Sequence, residues 1–129
     1  MAGKELIHFT KEHEWVIIDS DQIATIGISD FAQESLGDIT YVQLPKEGDW
    51  IQKNDPFGVV ESVKTVSDLY APVSGRVVEV NHPILKAPEL VNHDPYTDGW
   101  LVKVEVKDDS DLQDLMDEKE YKQYIEDNQ

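Results

Sequence analysis

The stretch Glu61-Ser62-Val63-Lys64-Thr65-Val66-Ser67-Asp68 sets one lysine among short polar residues, between two apolar, β-branched runs. Phe57, Val59 and Val60 lie before it, and Val66, Leu69 and Val73 lie after it. That pattern predicts a hairpin with Lys64 at the corner. Lys64 is the only basic residue between Lys53 and Arg76, so a partner reading this corner meets a single amine. An ammonium on a flexible stem is a natural acylation site, although the same residues also describe an ordinary exposed hairpin lysine. Other self-contained chemistry is missing from the sequence. It holds no G-x-S-x-G elbow, no phosphate-binding P-loop and no G-x-G-x-x-G turn. His8, His13, His82 and His93 lack the one-face spacing of a zinc-binding helix, and no metal site is expected. His82 and His93 read as solvated loop residues. Carboxylates are too many for a catalytic pair to be singled out.

Composition narrows the class. With 129 residues, 40% of them hydrophobic, the chain suffices for one domain with a real core, expected over about 7–106 with a helical segment over about 110–126. Eleven basic against twenty-seven acidic residues give a formal charge of −16, which disfavours nucleic acid and anionic membranes. It suits a monomer that meets partners through complementary charge, and serves solubility equally well. Without cysteine there is no disulfide, thiolate metal site or cysteine nucleophile. Met1 to Ile7 have neither the apolar core of a signal peptide nor transit-peptide character, and no run approaches a membrane span. A cytoplasmic location is expected, or the mitochondrial matrix if the source is a eukaryote.

The elements that must position Lys64 read mainly as short strands. They are expected at residues 7–10, 14–18, 22–28, 39–44, on both sides of the lysine corner, at 76–80 and at 100–106, with a short segment opened by Trp50 and Ile51. Ile23, Thr25 and Gly27 alternate with Ala24, Ile26 and Ile28, so both faces of that strand are expected to be partly covered. Ser29 or Asp30 can cap a two-turn helix ended by Gly37, and a helical turn fits around 88–91. After Asp109 or Ser110, an apolar stripe of Leu112, Leu115, Met116, Tyr121, Tyr124 and Ile125 predicts a surface helix pair, within a tail of ten acidic and three basic residues from Glu105 to Gln129. Trp15, Trp50 and Trp100 read as core, and Val63 and Val66 as anchors of the hairpin. Gly48-Asp49-Trp50 and Gly75-Arg76-Val77 form a weak internal echo on either side of the lysine strands. The whole predicts a small β sandwich or barrel with added helices.

Glu61-Ser62-Val63-Lys64, followed by Ser67-Asp68-Leu69-Tyr70-Ala71-Pro72-Val73-Ser74-Gly75, resembles the lipoylation segment of the glycine cleavage system H protein family. His13-Glu14-Trp15-Val16, Leu36-Gly37-Asp38, Pro88-Glu89-Leu90-Val91-Asn92, Asp94-Pro95-Tyr96 and Gly99-Trp100-Leu101 are similar to other signatures of that family, in the same order. The resemblance spans nearly the whole chain. It implies a lipoyl-domain-like barrel–sandwich hybrid, with a short helix near 30–36 and C-terminal helices. It also implies a carrier, not an enzyme, bearing lipoate on Lys64. Such a carrier takes an aminomethyl group from a pyridoxal-phosphate glycine decarboxylase to a tetrahydrofolate-dependent aminomethyltransferase, and dihydrolipoyl dehydrogenase reoxidises it. A lipoate ligase or lipoyl transferase would install the group. By the same resemblance Glu14, with Glu12, would shelter the loaded arm, Glu14 through a charge-assisted hydrogen bond to the cationic amine; Asp68, just beyond the lysine, belongs to the cofactor-binding segment, and Glu14 reads equally as a solvated strand-edge carboxylate. Glu61 would serve either recognition by lipoylating enzymes or the corner's geometry, and Val63 and Ser67 complete the segment. A biotinyl domain fits less well, because Val63 and Thr65 stand where that family places methionines. A lipoyl domain of a 2-oxoacid dehydrogenase would bring a linker and catalytic domain, which are not expected here. A lipoyl donor to other complexes, or an interaction module that is never acylated, are the remaining readings.

Overall fold

The computed structural model describes residues 6–128, so the reading of the N-terminus up to residue 5 and the last residue, Gln129, lie outside the described residues. Its strands are β1 (His8–Phe9), β2 (Glu14–Ile18), β3 (Ile23–Ile28), β4 (Ile39–Gln43), β5 (Trp50–Ile51), β6 (Pro56–Ser62), β7 (Val66–Tyr70), β8 (Gly75–Val80) and β9 (Val102–Glu105). Helices are α1 (Asp30–Leu36), α2 (Pro83–Lys86), α3 (Glu89–His93) and α4 (Glu118–Asp127), with a 3-10 turn at Ser110–Leu112. Six strands form one sheet in the order β1-β2-β3-β9-β8-β5, and three form a second in the order β4-β6-β7. The last strand in sequence, β9, thus sits in the middle and joins β3 to β8, antiparallel on both sides.

The alternation of side chains dictates what the sheets enclose. Along β2, Glu14, Val16 and Ile18 share one face and Trp15 and Ile17 the other. Val16 joins Ala24, Ile26 and Ile28 of β3, Val60 of β6, Leu69 of β7 and Val102 and Val104 of β9 in one continuous apolar core. Burying such β-branched and aliphatic side chains stabilises the fold by roughly 1.5–3 kcal/mol each. The opposite face of β1 and β2 carries a second cluster, Phe9, Trp15 and Tyr121, so both faces of this region are covered. Gly27 is where that covering becomes tightest: a methyl group there would lie 2.5 Å from the Trp15 ring. The echo has a structural meaning, because Trp50 pairs with Arg76 and Ile51 with Gly75 across β5 and β8.

Three expectations are revised and one is extended. The C-terminal helix pair is a 3-10 turn followed by a single helix, because Met116 leaves the helical path and exchanges backbone hydrogen bonds with Phe9. Helix α4 restarts at Asp117, whose carboxylate accepts from the Glu120 N–H while the Glu120 side chain accepts from the Asp117 N–H, a reciprocal capping box. The proline-punctuated stretch keeps the expected turn around 88–91, as α3, and adds a helix that was not expected, α2, opened by Pro83. Trp15 is core, with its indole N–H donated to the Pro95 carbonyl, and Trp100 is half-buried; Trp50, however, is 63% exposed at the edge strand β5, where only one neighbouring strand covers it. Val63 and Val66 are 71% and 65% exposed, so their side chains do not anchor the hairpin in the core; Val60 and Leu69 do.

Candidate functional site

Strands β6 and β7 run antiparallel, with Glu61 opposite Val66 and Val60 opposite Ser67, and leave Val63 and Lys64 at the bend. Ser62 makes the corner tight. Its N–H donates to the Thr65 carbonyl at 2.8 Å, and its hydroxyl oxygen accepts from the N–H groups of Lys64 and Thr65 at 3.3 and 3.2 Å. The Val63 N–H donates to the Asp38 carbonyl at 3.1 Å and ties the tip to the residue pair after α1. Lys64 is exposed, and among the described residues its Nζ has no hydrogen-bonding or ion-pair partner.

The lysine stem crosses the end of α1. Ser29 caps that helix through its hydroxyl, which accepts from the Ala32 N–H at 3.1 Å, and Gly37 ends it at φ +78° and ψ −161°. Only glycine adopts this backbone region without strain. Asn92 of α3 secures the same end. Its amide donates to the Gly37 carbonyl and the Gln33 side chain, both at 3.0 Å, and its oxygen accepts from the Ile39 N–H at 2.9 Å. A methyl group on Gly37 would meet Lys64 Cε at 3.3 Å. A Gly37→Ala substitution is therefore expected to destabilise the fold by about 1–3 kcal/mol and to deflect the lysine stem, measurable as a lower urea midpoint and altered Lys64 side-chain NMR shifts.

Next to Gly37, Leu36 opens onto a cleft of about 140 Å³. Its apolar wall is Ile28, Ala32, Leu36, Val60 and Leu69, and its polar groups come from Glu12, His13, Glu14, Ser35, Ser67 and Asp68. Glu14 is the one buried carboxylate of the site, only 2% exposed. It occupies the core-facing register of β2, at the strand end where the core gives way to the cleft. Oε1 accepts from the Thr10 hydroxyl at 2.7 Å, and Oε2 accepts from the Tyr70 N–H of β7 at 3.1 Å. Burial pushes its carboxyl up to about 7, against the lowering effect of these two donors. A proton equilibrium near neutrality is the result. A cationic amine close to this carboxyl would favour its charged form.

The structure thus brings Glu12, Glu14, Ser67 and Asp68 together in one cleft; Lys64 does not line it, and its stem lies beside Gly37, the neighbour of the cleft residue Leu36. Glu61 is half-buried in β6 opposite Val66, and Val63 is exposed at the tip; neither lines the cleft. Sequence reading missed His13, Thr10, Tyr70, Gly37 and Asn92 as positioning groups. Asn92 was signalled only by its place in the segment Pro88 to Asn92, and Thr10 by nothing at all. Larger surface hollows lie elsewhere, such as that beside Trp50 and Asp55, but that one has no buried carboxylate in its lining. Among the described residues, no group of His, Asp or Glu is placed to hold a metal ion, and no helix is long and apolar enough to cross a membrane.

A β sandwich that frees one lysine at a tight hairpin tip, beside a cleft ending on a carboxylate, has the build of a carrier domain that displays a tethered group. The comparisons with known proteins make the assignment specific. The family model described as Glycine cleavage H-protein matches residues 7–128, and the chain belongs to that family. The glycine cleavage system H protein of Carboxydothermus hydrogenoformans is 52% identical over 120 residues, covering 93% of this chain and 92% of the relative. That of Anaeromyxobacter sp. (strain K) is 49% identical over 126 residues, covering 98% of both. The solved structure of a glycine cleavage system H protein from Mycobacterium marinum superposes with a TM-score of 0.84 at 36% identity, covering 98% of each chain. The fold is accordingly the lipoyl-domain-like barrel–sandwich expected from the sequence.

Proposed function

We propose that Lys64 carries a lipoyl group in amide linkage and that the whole chain, as a single domain, serves glycine cleavage as a carrier and not as a catalyst. The observation that carries this reading is an exposed lysine at a hydrogen-bonded hairpin tip, its stem beside Gly37 and next to Leu36 of a cleft that holds buried Glu14. Tyr70, whose N–H holds Glu14, closes β7 at the end away from the corner, so Glu14 is set apart from the lysine along the hairpin and is met by a group carried on it.

The donor set and walls fit such a group. Ile28, Ala32, Leu36, Val60 and Leu69 suit a hydrocarbon arm, and Glu14 suits a cationic amine at its end. When bound, lipoate supplies the disulfide that accepts an aminomethyl group and is later reoxidised, chemistry that this cysteine-free chain lacks. The protein's own part is to present, hold and shield. Ser62 stiffens the corner, so that the amine is offered in one geometry to a lipoate ligase or lipoyl transferase. Glu14 takes the cargo's positive charge, Glu12 and Asp68 add negative potential at the mouth, and the apolar wall excludes water. Tethering then raises the cargo's local concentration at each partner without tight binding. The partners we propose are the pyridoxal-phosphate glycine decarboxylase, the aminomethyltransferase and dihydrolipoyl dehydrogenase, met in the cytoplasm. Intact mass after incubation with lipoate, ATP and a ligase tests the reading: one added lipoyl group is expected, absent from Lys64→Ala. An unmodified wild-type chain beside an active ligase would overturn it.

A further inference from the structure

Glu12, His13 and Glu14 are consecutive cleft residues, and His13 sits in the left-handed region at φ 73°, uncommon for a residue with a side chain. Something must hold it there. Backbone helps, since the Ser29 N–H donates to the His13 carbonyl at 2.9 Å. The other holder comes from α4, more than a hundred residues away. Tyr121 stacks flat on Phe9, with ring centroids 4.1 Å apart at 3°, and brings its hydroxyl to 2.7 Å from His13 Nδ1 and 2.7 Å from Ser29 Oγ.

Proton bookkeeping assigns the direction of these bonds. Ser29 is fully buried, and its oxygen already accepts from the Ala32 N–H as the cap of α1. Its own hydroxyl proton needs an acceptor, which the Tyr121 oxygen supplies. Tyr121 then has one proton left to give and one acceptor in reach, His13 Nδ1. The chain therefore runs from the α1 amide through Ser29 and Tyr121 to His13, whose ring proton is placed on Nε2. The reverse order would leave the Ser29 proton buried without a partner, at a cost that native structures avoid. Burial lowers the His13 pKa and pushes the Tyr121 phenol up to about 12, so both members stay neutral donors and acceptors. Phe31 packs on the imidazole from α1, with ring centroids 4.8 Å apart, and completes the clamp.

We infer that Tyr121 is a positioning residue of the carboxylate shelter: its hydroxyl, fixed by Ser29, locks the His13 turn that sets Glu14 in the cleft. Helix α4 is in this sense part of the site, although none of its residues lines the cleft. The inference deepens the proposed carrier role and rests on it for its functional half. Its structural half stands on the unmodified chain.

The test uses the full chain as wild type, Tyr121→Phe and Ser29→Ala. Nitrogen-15 NMR of unmodified protein reads the His13 tautomer. The half-life of the lipoylated, aminomethyl-loaded protein is read as formaldehyde release, since hydrolysis converts R–S–CH2–NH3+ and water into R–SH, formaldehyde and ammonium. Wild type is expected to hold the Nε2–H tautomer. Ser29→Ala removes the hydroxyl that fixes the direction and Tyr121→Phe removes the donor itself, so both should show a mixture of tautomers, and Tyr121→Phe a half-life shortened about threefold or more. A wild-type Nδ1–H tautomer, or a Tyr121→Phe protein with the wild-type tautomer or half-life, overturns the inference. Failure of Lys64 to take up lipoate appears separately, in the intact mass, and leaves the tautomer measurement readable.

Discussion

A Lys64→Arg protein will fold as the wild type does, gain no mass from lipoate, and carry no aminomethyl group. The reasoning separates charge from nucleophilicity. Arginine keeps a positive charge at an exposed hairpin tip, so hydration and local electrostatics are preserved and stability should move by less than about 0.5 kcal/mol. Its guanidinium, however, stays protonated at any working pH and offers no free amine to an activated acyl group. Acylation should therefore fall to zero instead of slowing, with decarboxylase-coupled transfer falling to background. The Ser62 hydrogen bonds that shape the corner go to backbone N–H groups, which arginine retains, so the loss cannot be assigned to a misformed hairpin. Intact mass beside a urea titration reads both halves. Lipoate found on Lys64→Arg would move the attachment to another lysine and leave the cleft without its arm.

The second large effect concerns Glu14 and pH. Its carboxyl is pushed up to about 7 in the folded chain, from an ordinary value of 4.5. The folded state therefore holds the proton more tightly than the unfolded state does. The resulting stability is fully present below about pH 4.5 and is lost as pH rises through about 7. At about 1.4 kcal/mol for each pH unit, the whole window amounts to about 3 kcal/mol. Glu14→Gln removes the titration but keeps an amide oxygen able to accept from Thr10 or Tyr70. Unfolding free energies of the two proteins should therefore diverge with rising pH, the variant gaining about 3 kcal/mol on the wild type between about pH 4.5 and pH 8. Other carboxylates are common to both proteins and cancel in the difference. A difference that stays flat across this range would mean that Glu14 is not the buried acid described here. The same substitution should shorten retention of an aminomethyl cargo, since a neutral amide cannot pair with an ammonium. A buried carboxyl of this kind lowers stability as pH rises through neutrality, a cost often found at binding sites.

Much of this was legible in the residues. The hairpin announced itself because its apolar runs, its short polar corner and its single lysine are local in sequence, and turns are decided locally. Helix α1 was readable from Ser29 and Gly37 for the same reason: a cap and a terminating glycine act within a few residues. The sandwich followed from strands that alternate cleanly, such as Ile39 to Gln43. Local pattern failed where a distant partner decided the outcome. Leu112, Leu115 and Met116 share helical spacing with Tyr121 and Ile125, yet Met116 pairs with Phe9 because the edge of β1 needed a partner. Trp50 looked like core by its size, but β5 lies at the end of its sheet.

The sequence by itself determined the family, through motifs spread along nearly the whole chain, and the mainly β build and the hairpin corner at Lys64, through patterns local in the chain. That Glu14, named from the resemblance but readable equally as a solvated strand-edge carboxylate, is the buried one was decided only in three dimensions. Glu14 is solvated or buried according to whether β7 and α1 close over the end of β2, and they come from segments apart in sequence. Burial in turn sets its proton affinity, because a charge loses its hydration only where the fold removes the water. Tyr121 teaches the same lesson at longer range. Its hydroxyl has a role because α4 packs back on β1, and no spacing rule connects residue 121 to residue 13.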